Sequence, residues 1–514
     1  METSFGPTTI IGAALALTIG AWLIQTIYTA LTSPLRALPG PWYSHFTNLP
    51  LKSAVTGGRR IFYIDELHAK YGPIVRISPR EVAVADAAAF KQIHGVSAKY
   101  TKDEWYEKLT NFPRLSVFSM RDPRAHGARR RLFARAFSKS YLREHWEPTV
   151  RDKARKAVER IRDEAKLEGE ADVMKWWTFM ATDIVGVLGF GESFGMLELG
   201  RRTEYIRVLE AALVGNGIGA ELPWLRAILA RLPIRALREA FNSSDYILGY
   251  GTKAVAQARR QQQENKSSSG SATNSAHDAN LMATIIAEAE KSDARVDDLD
   301  VRTESTSLIF AGSGTTANTM TFLTWAVLSR PALQAALEEE LASRLPADPA
   351  LLADADLEQL PLLNAVINET LRLYCAVPGS LPRVVPQGGA RLGDYFVPAG
   401  ATVSTQAYTL HRDEKLWPNA ATFDPSRFLP SAPTPLTAGA KATFCAFGAG
   451  ATSCLGINLA WMELRYASAL LFSQCRGLRL APATTPESMA LENYFVIVPK
   501  GKRCCVRLGG MREE

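Results

Sequence analysis

The stretch Ala446–Ala460, AFGAGATSCLGINLA, carries three glycines and one cysteine and then runs into an apolar, helix-patterned segment starting near Leu455. Gly448 and Gly450 permit backbone turns that other residues resist. Cys454 falls at the start of the helix, where free backbone N–H groups and the helix dipole favour a thiolate. A thiolate on a glycine-shaped loop suits an axial ligand to heme iron, and Gly456 would let a flat ligand lie close to the chain. A buried structural cysteine beside a loop is the other reading, and the loop alone does not decide between them.

Other chemistries are excluded more simply. The seven histidines are far apart and none pair at i, i+4, so HExxH zinc chemistry is absent. His411-Arg412-Asp413 fails as an iron facial triad, because no second histidine follows it. It fails as a kinase loop, because Pro418 stands where that loop needs Asn. The run from Gly189 to Gly195, GFGESFG, misses GxGxxG by one residue. The six cysteines form no CxxC pair and are too few for a disulfide framework, so a reducing, cytosol-facing environment is expected and the Cys504-Cys505 pair reads as structural. A net charge of +7 without a dense Lys/Arg block does not favour nucleic acid, and an acidic protein partner or an anionic membrane surface fits as well.

The chain must position this loop with its 514 residues, enough for one large domain. Thr8–Leu31 contains no charge and is long enough to cross a bilayer core. Only Glu2 precedes it, unlike the basic start of a signal peptide, so residues 1–33 read as a retained anchor. Arg36, Lys52, Arg59 and Arg60 follow, which places the rest of the chain in the cytosol. Pro34, Pro39 and Pro41 mark residues 34–45 as a stiff spacer. Residues 46–514 read as a single catalytic domain in which the polar, low-complexity stretch 261–280 is a mobile loop. Ile74–Asp86 has the alternation of a hairpin, and Arg383–Tyr408 is turn-rich and strand-like. Long helical patterns run from near Asp297 to Arg330, from Pro331, and from Leu360 to Tyr374. The expected class is mainly α with small β-sheets.

Phe447-x-x-Gly450-x-x-x-Cys454-x-Gly456 resembles the heme-binding signature of the cytochrome P-450 family, the heme-thiolate monooxygenases. Four further stretches resemble that family in the right order. They are His126-x-x-x-Arg130, the helix motif Ala311–Thr316 (AGSGTT), Glu369-Thr370-Leu371-Arg372, and Phe423–Phe428 (FDPSRF). The anchor and spacer resemble its microsomal branch, which implies a single-pass protein of the endoplasmic reticulum membrane with its heme domain in the cytosol.

The resemblance implies heme b on Cys454, with Phe447, Gly450 and Gly456 shaping the loop. It implies propionate contacts from Arg383, His126 and Arg130. Glu369, Arg372 and Arg427 would form a buried charge network behind the heme, where the residues alone allow a solvated i, i+3 pair. Ala311 and Gly312 would open a groove for O2 and Thr315 would help pass protons, where the alternative for such small residues is a close helix–helix contact. The implied partners are O2, an apolar small-molecule substrate and a separate NADPH-dependent flavoprotein reductase. The pocket would be lined by Lys99–Met120, Ile309, Phe310, Ala376–Leu381 and Tyr494-Phe495.

Two departures stand out. Gly314 occupies the position of the usual acid before the helix Thr, and Thr452 that of the usual Arg two residues before the cysteine. The first motivates a rival reading, a heme-thiolate isomerase or dehydratase that does not use O2. A non-catalytic anchored heme or lipid binder is the second rival. Resemblance of SPLRALPGPW and YGPIVRISPREVAVAD to members from filamentous fungi implies a secondary metabolite, terpenoid or polyketide, as substrate.

Overall fold

The computed structural model describes residues 7–110, 112–242, 246–249, 251–252, 255–256, 259–260, 281–291, 296–346, 348–432 and 434–509. The expected loop 261–280 lies outside the described residues.

Helix α1 (Pro7–Thr32) is apolar along its length and exposed, as Leu17 and Ile24 show. Its Thr18, Thr26, Thr29 and Thr32 hydroxyls each donate to the carbonyl four residues earlier, so these four hydroxyls are satisfied without water. Ile11–Thr32 is long and apolar enough to cross a membrane. The Pro-rich stretch behind it, expected as a stiff spacer, packs against the sheet of the domain. Leu35 and Leu38 bury against Ile74, Val82 and Val403, and Arg76 N donates to Pro39 O at 2.8 Å. Two leucines three residues apart on a turn supply an apolar face, and burial of that face holds the segment to the sheet.

That sheet has five strands: β1 (Ile74–Arg76), β2 (Glu81–Val84), β3 (Thr101–Lys102), β4 (Arg383–Val384) and β5 (Thr402–Ser404), in the order β1-β2-β5-β4-β3. The expected hairpin is β1–β2, with Ile74 opposite Val84. Strand β3 pairs with β4, which sets Lys102 opposite Arg383 across 281 residues of sequence. A three-stranded sheet and two further two-stranded sheets complete the strand content among the described residues.

Helices α2 (Pro123–Ala134), α3 (Val173–Phe190), α4 (Asp298–Leu328), α5 (Pro361–Tyr374) and α6 (Ile457–Gln474) carry the site. The 31 residues of α4 span about 46 Å. Asp297 and Asp300 close a reciprocal capping box at its start, satisfying N–H groups that would otherwise be orphaned. Helix α4 is buried on most faces against α3, α5 and α6, and the main core is built from Trp177, Phe322, Leu323, Val366 and Leu470 among others. A helix buried on nearly every side needs no polar stripe, which explains its weak amphipathic pattern.

Candidate active site

The cysteine loop is held from behind by a buried network. Arg372 Nε and Nη2 each donate to a different Glu369 oxygen at 2.7 Å, a bidentate pair with both side chains fully buried. Arg372 Nη1 also donates to the carbonyls of His411 and Ala420, and Nη2 to that of Thr422. Glu369 Oε1 accepts from Asp424 N at 2.8 Å and from Arg427 Nε at 3.4 Å. The structure thus brings Glu369, Arg372 and Arg427 together, and the solvated-pair alternative does not describe them.

His411, which failed as a ligand on sequence grounds, is fully buried here. Its Nδ1 donates to Arg372 O at 2.9 Å and its Nε2 accepts from Cys445 N at 2.9 Å. That pair of partners requires the neutral ring, and burial pushes its pKa down to about 3. One imidazole therefore couples α5 to the segment that enters the cysteine loop.

In the loop, Cys454 N donates to Phe447 O at 2.7 Å. Gly448 (φ 70°) and Gly450 (φ 61°) are left-handed, and a Cβ on Gly450 would lie 2.0 Å from His94 O. Gly450→Ala is accordingly expected to cost more than about 2 kcal/mol of stability, through the left-handed backbone and the clash together. A thermal-unfolding comparison with Gly448→Ala, whose Cβ meets nothing closer than 3.7 Å, checks this. Helix α6 begins at Ile457 with Gly456 as its cap, two residues later than the pattern predicts. Gly456 has only Phe137 near its missing Cβ, at 3.9 Å, so space lies over it.

Cys454 is exposed whereas the other five cysteines are buried. Burial by the surrounding protein nevertheless pushes its thiol pKa up, while the Gly456 N–H and the Arg130 charge pull it down. An accessible side chain inside dense protein marks a hollow in the interior. Ala311 tells the same story, because it is exposed at the middle of the otherwise buried helix α4. Thr315, one turn on, donates its hydroxyl to Ala311 O at 2.7 Å. Gly312 faces elsewhere: its Cβ would lie 2.9 Å from Val185 Cγ2, so it permits the close approach of α3 to α4, the helix–helix alternative.

Basic side chains converge beside the cysteine loop, at Thr452 and Ser453. Arg383 is buried and donates to Tyr106 Oη (2.6 Å) and Thr452 Oγ1 (2.8 Å). His126 on α2 is buried, and burial followed by Lys102, Arg130 and Arg383 drives its pKa down to about 4. Arg130 gives Nη1 to Ser453 O at 2.7 Å and Nη2 to Ser453 Oγ at 3.2 Å, so it braces the residue before Cys454. Lys102, which no sequence motif signals, joins them through the β3–β4 pairing. Of the expected lining, Phe118 and Phe495 meet at 6.2 Å between ring centres and Trp105 and Phe495 at 5.8 Å. Tyr494 turns outward instead, its ring beneath Gly58.

A thiol opening on a hollow, a glycine without a side chain at the loop's end, and buried cations with neutral partners fit a flat, apolar ligand with two carboxylates, which is heme. The family model for cytochrome P450 matches residues 38–506. The chain belongs to the cytochrome P450 family. It is 40% identical to cytochrome P450 monooxygenase aflV of Aspergillus parasiticus over 501 residues, covering 95% of each chain. It is 39% identical over 502 residues to cytochrome P450 monooxygenase stcB of Emericella nidulans, covering 95% of this chain and 91% of that one. Methylphloroacetophenone oxidase of Cladonia uncialis is 32% identical over 400 residues, 76% of this chain and 85% of its own. This P450 is a monooxygenase, and its family holds heme by a cysteine thiolate.

Proposed function

We propose that this P450 inserts one oxygen atom from O2 into an apolar secondary metabolite of a fungus, with Cys454 as the iron ligand. The observation that carries the reading is the accessible thiol of Cys454 on its glycine loop, together with Ala311, which is accessible in the middle of the mostly buried helix α4. Heme, when bound, supplies the activation of O2. The chain's residues do the rest. Cys454 would hold the iron as a thiolate, from a loop clamped by Phe447 O, Arg130 and His411. Arg383 and His126 would hold the propionates. Thr315 holds a proton on Oγ1, donated at rest to Ala311 O and deliverable into the hollow by rotation of χ1.

Within the terpenoid and polyketide classes, an aromatic polyketide is favoured. The rings of Trp105, Tyr106, Phe118 and Phe495 form a contiguous aromatic cluster, which suits stacking on a planar substrate. Methylphloroacetophenone oxidase, by its name, acts on an aromatic ketone. Electrons come from a separate NADPH-dependent flavoprotein reductase, and α1 anchors the protein in the endoplasmic reticulum membrane with the heme domain in the cytosol.

The test is stoichiometric. The purified protein, a flavoprotein reductase and NADPH should consume NADPH and O2 with substrate and yield a product 16 mass units heavier. A rearranged product with neither consumed would establish the isomerase reading, and heme loading without turnover would establish the binder. Metabolite profiles of a deletion strain should show an accumulated precursor.

Gly314 gives a separate prediction. A Cβ there has no atom nearer than Asn318 Nδ2 at 4.0 Å, so Gly314→Asp should fold normally. It is expected to raise the fraction of NADPH recovered as hydroxylated product about two- to tenfold, by placing an acid beside Thr315. Measured coupling at or below that of the natural protein would show that protons arrive by another route.

A further inference from the structure

Glu304 is a carboxylate in the interior that no motif accounts for. It lies on α4 seven residues before Ala311, so the two share one face of that helix, about 10 Å apart along its axis. Its side chain is only 3% exposed. Oε1 accepts from Arg129 Nη1 at 3.2 Å and from Val117 N at 3.0 Å, and Oε2 lies 3.2 Å from the same Val117 N. Arg129 also meets Asp300 at 3.1 Å, so α2 is tied to α4 without Glu304. A buried ion pair adds little over apolar packing, and stability by itself gives no reason for the second carboxylate. What Glu304 adds is a hold on one backbone N–H, that of Val117.

That N–H belongs to a stretch with few other ties. Among the described residues, 114–120 make no backbone–backbone hydrogen bond to another element; their own turn is closed by Ser119 N and Met120 N on Ser116 O. The hydrogen bonds from outside come from side-chain contacts: Arg114 with Asp297, Lys102 with the carbonyls of Val117 and Phe118, and Glu304 with Val117 N. The Arg114 pair is half exposed and worth little. Within the stretch, the Phe118 ring packs on Tyr106 at 5.2 Å and on Phe495 at 6.2 Å between ring centres. Tyr106 Oη accepts from Arg383, which also donates to Thr452, two residues before Cys454. Glu304 thus pins the residue next to a ring of the aromatic cluster, and that cluster reaches the cysteine loop through Tyr106 and Arg383.

We infer that Glu304 is a positioning residue for the substrate: its carboxylate latches residues 114–120 onto α4 and holds Phe118 in the aromatic wall, and release of the Val117 N–H lets the stretch swing out to admit a bulky ring. The inference rests on the reading that heme and an aromatic substrate lie over Cys454. A hydrogen bond to a charged acceptor is roughly twice as strong as a neutral one, so the latch is firm. It engages a single N–H, so it opens without breaking a sheet or a helix.

The test uses the heme-loaded full chain and two azoles that bind iron and shift the heme absorption band, followed by stopped flow. Imidazole is small enough to pass the closed stretch; clotrimazole, with its bulky aryl groups, is not. Glu304→Ala is expected to bind and to release clotrimazole about tenfold faster, the effect of one charge-assisted bond, with imidazole rates within about twofold of the natural chain. Glu304→Gln keeps an oxygen that accepts from Val117 N and should stay within about threefold. Phe118→Ala should speed clotrimazole by a similar factor, and Glu304→Ala added to it should change nothing further, because the latch then has no ring to hold. If Glu304 served the fold alone, Glu304→Ala would lower the melting temperature and leave the clotrimazole rates in place, which overturns the inference. Clotrimazole rates unmoved by Phe118→Ala, or effects of the two substitutions that simply add, overturn it too. A natural chain that takes up no heme, or shows no shift with imidazole, would instead remove the underlying reading, an outcome visible before any variant is made.

Discussion

Cys454→Ser should give a folded protein that has lost the red-shifted band of its reduced carbon monoxide complex and nearly all monooxygenase turnover. Folding should survive because the Cys454 side chain is exposed. The loop is fixed instead by Cys454 N on Phe447 O, by Arg130 on Ser453 and by His411 on Cys445, none of which involves sulfur. Serine is smaller and introduces no clash. What is lost is the thiolate, which Gly456 N–H and Arg130 help to stabilise against burial and which a hydroxyl cannot replace at neutral pH. A barrier increase of about 4 kcal/mol, roughly a thousandfold in rate, is the expected scale. Absorption spectroscopy of reduced, carbon monoxide-treated protein and a product assay check the two halves. A heme-loaded serine variant that kept the thiolate band would place the ligand at another cysteine.

The second large effect falls on stability. Arg372→Ala strands the Glu369 carboxylate in a fully buried site, and Glu369→Ala strands the guanidinium. Either should cost about 3–5 kcal/mol, the usual penalty for breaking one side of a buried pair. Domains are stable by only about 5–15 kcal/mol, so the variants should be recovered in low yield and poorly loaded with heme. Arg372 carries more than its partner, because three backbone carbonyls, those of His411, Ala420 and Thr422, lose their donor with it. Arg427→Ala should be milder, about 1–2 kcal/mol: Arg427 reaches Glu369 only at 3.4 Å and spends its Nη groups on the carbonyls of Pro418 and Asn419 near the surface. Denaturant titration of the three variants gives the order, and equal losses would deny the central place of Arg372.

Much of the site was readable without coordinates because the residues concerned are close in sequence or identical in kind to a recurring pattern. Glycine at 448 and 450 is demanded by local backbone geometry, which composition exposes directly. The pair Glu369–Arg372 sits at helix spacing, and a charged pair on an otherwise apolar helix face is visible in a string of letters. Gly312 was harder: a small residue in a helix serves equally to open a groove or to admit a neighbour, and only the position of Val185 separates the two. The Pro-rich stretch after the anchor read as a stiff spacer from its prolines, while the burial of Leu35 and Leu38 could not be read because it needs a sheet to receive them.

The amino-acid sequence by itself determined a cysteine on a glycine-shaped loop, a small-residue helix with Thr315, Glu369 and Arg372 at helix spacing, and an apolar leading helix. Those properties are local, set by residue type, short spacing and backbone freedom. Only the tertiary structure decided where the charges meet. Lys102 faces Arg383 because two strands far apart in the chain pair in one register, and His411 bridges Arg372 to Cys445 because three segments converge on it. Such contacts depend on strand register and on helix packing, and neither is encoded in the neighbourhood of any one residue.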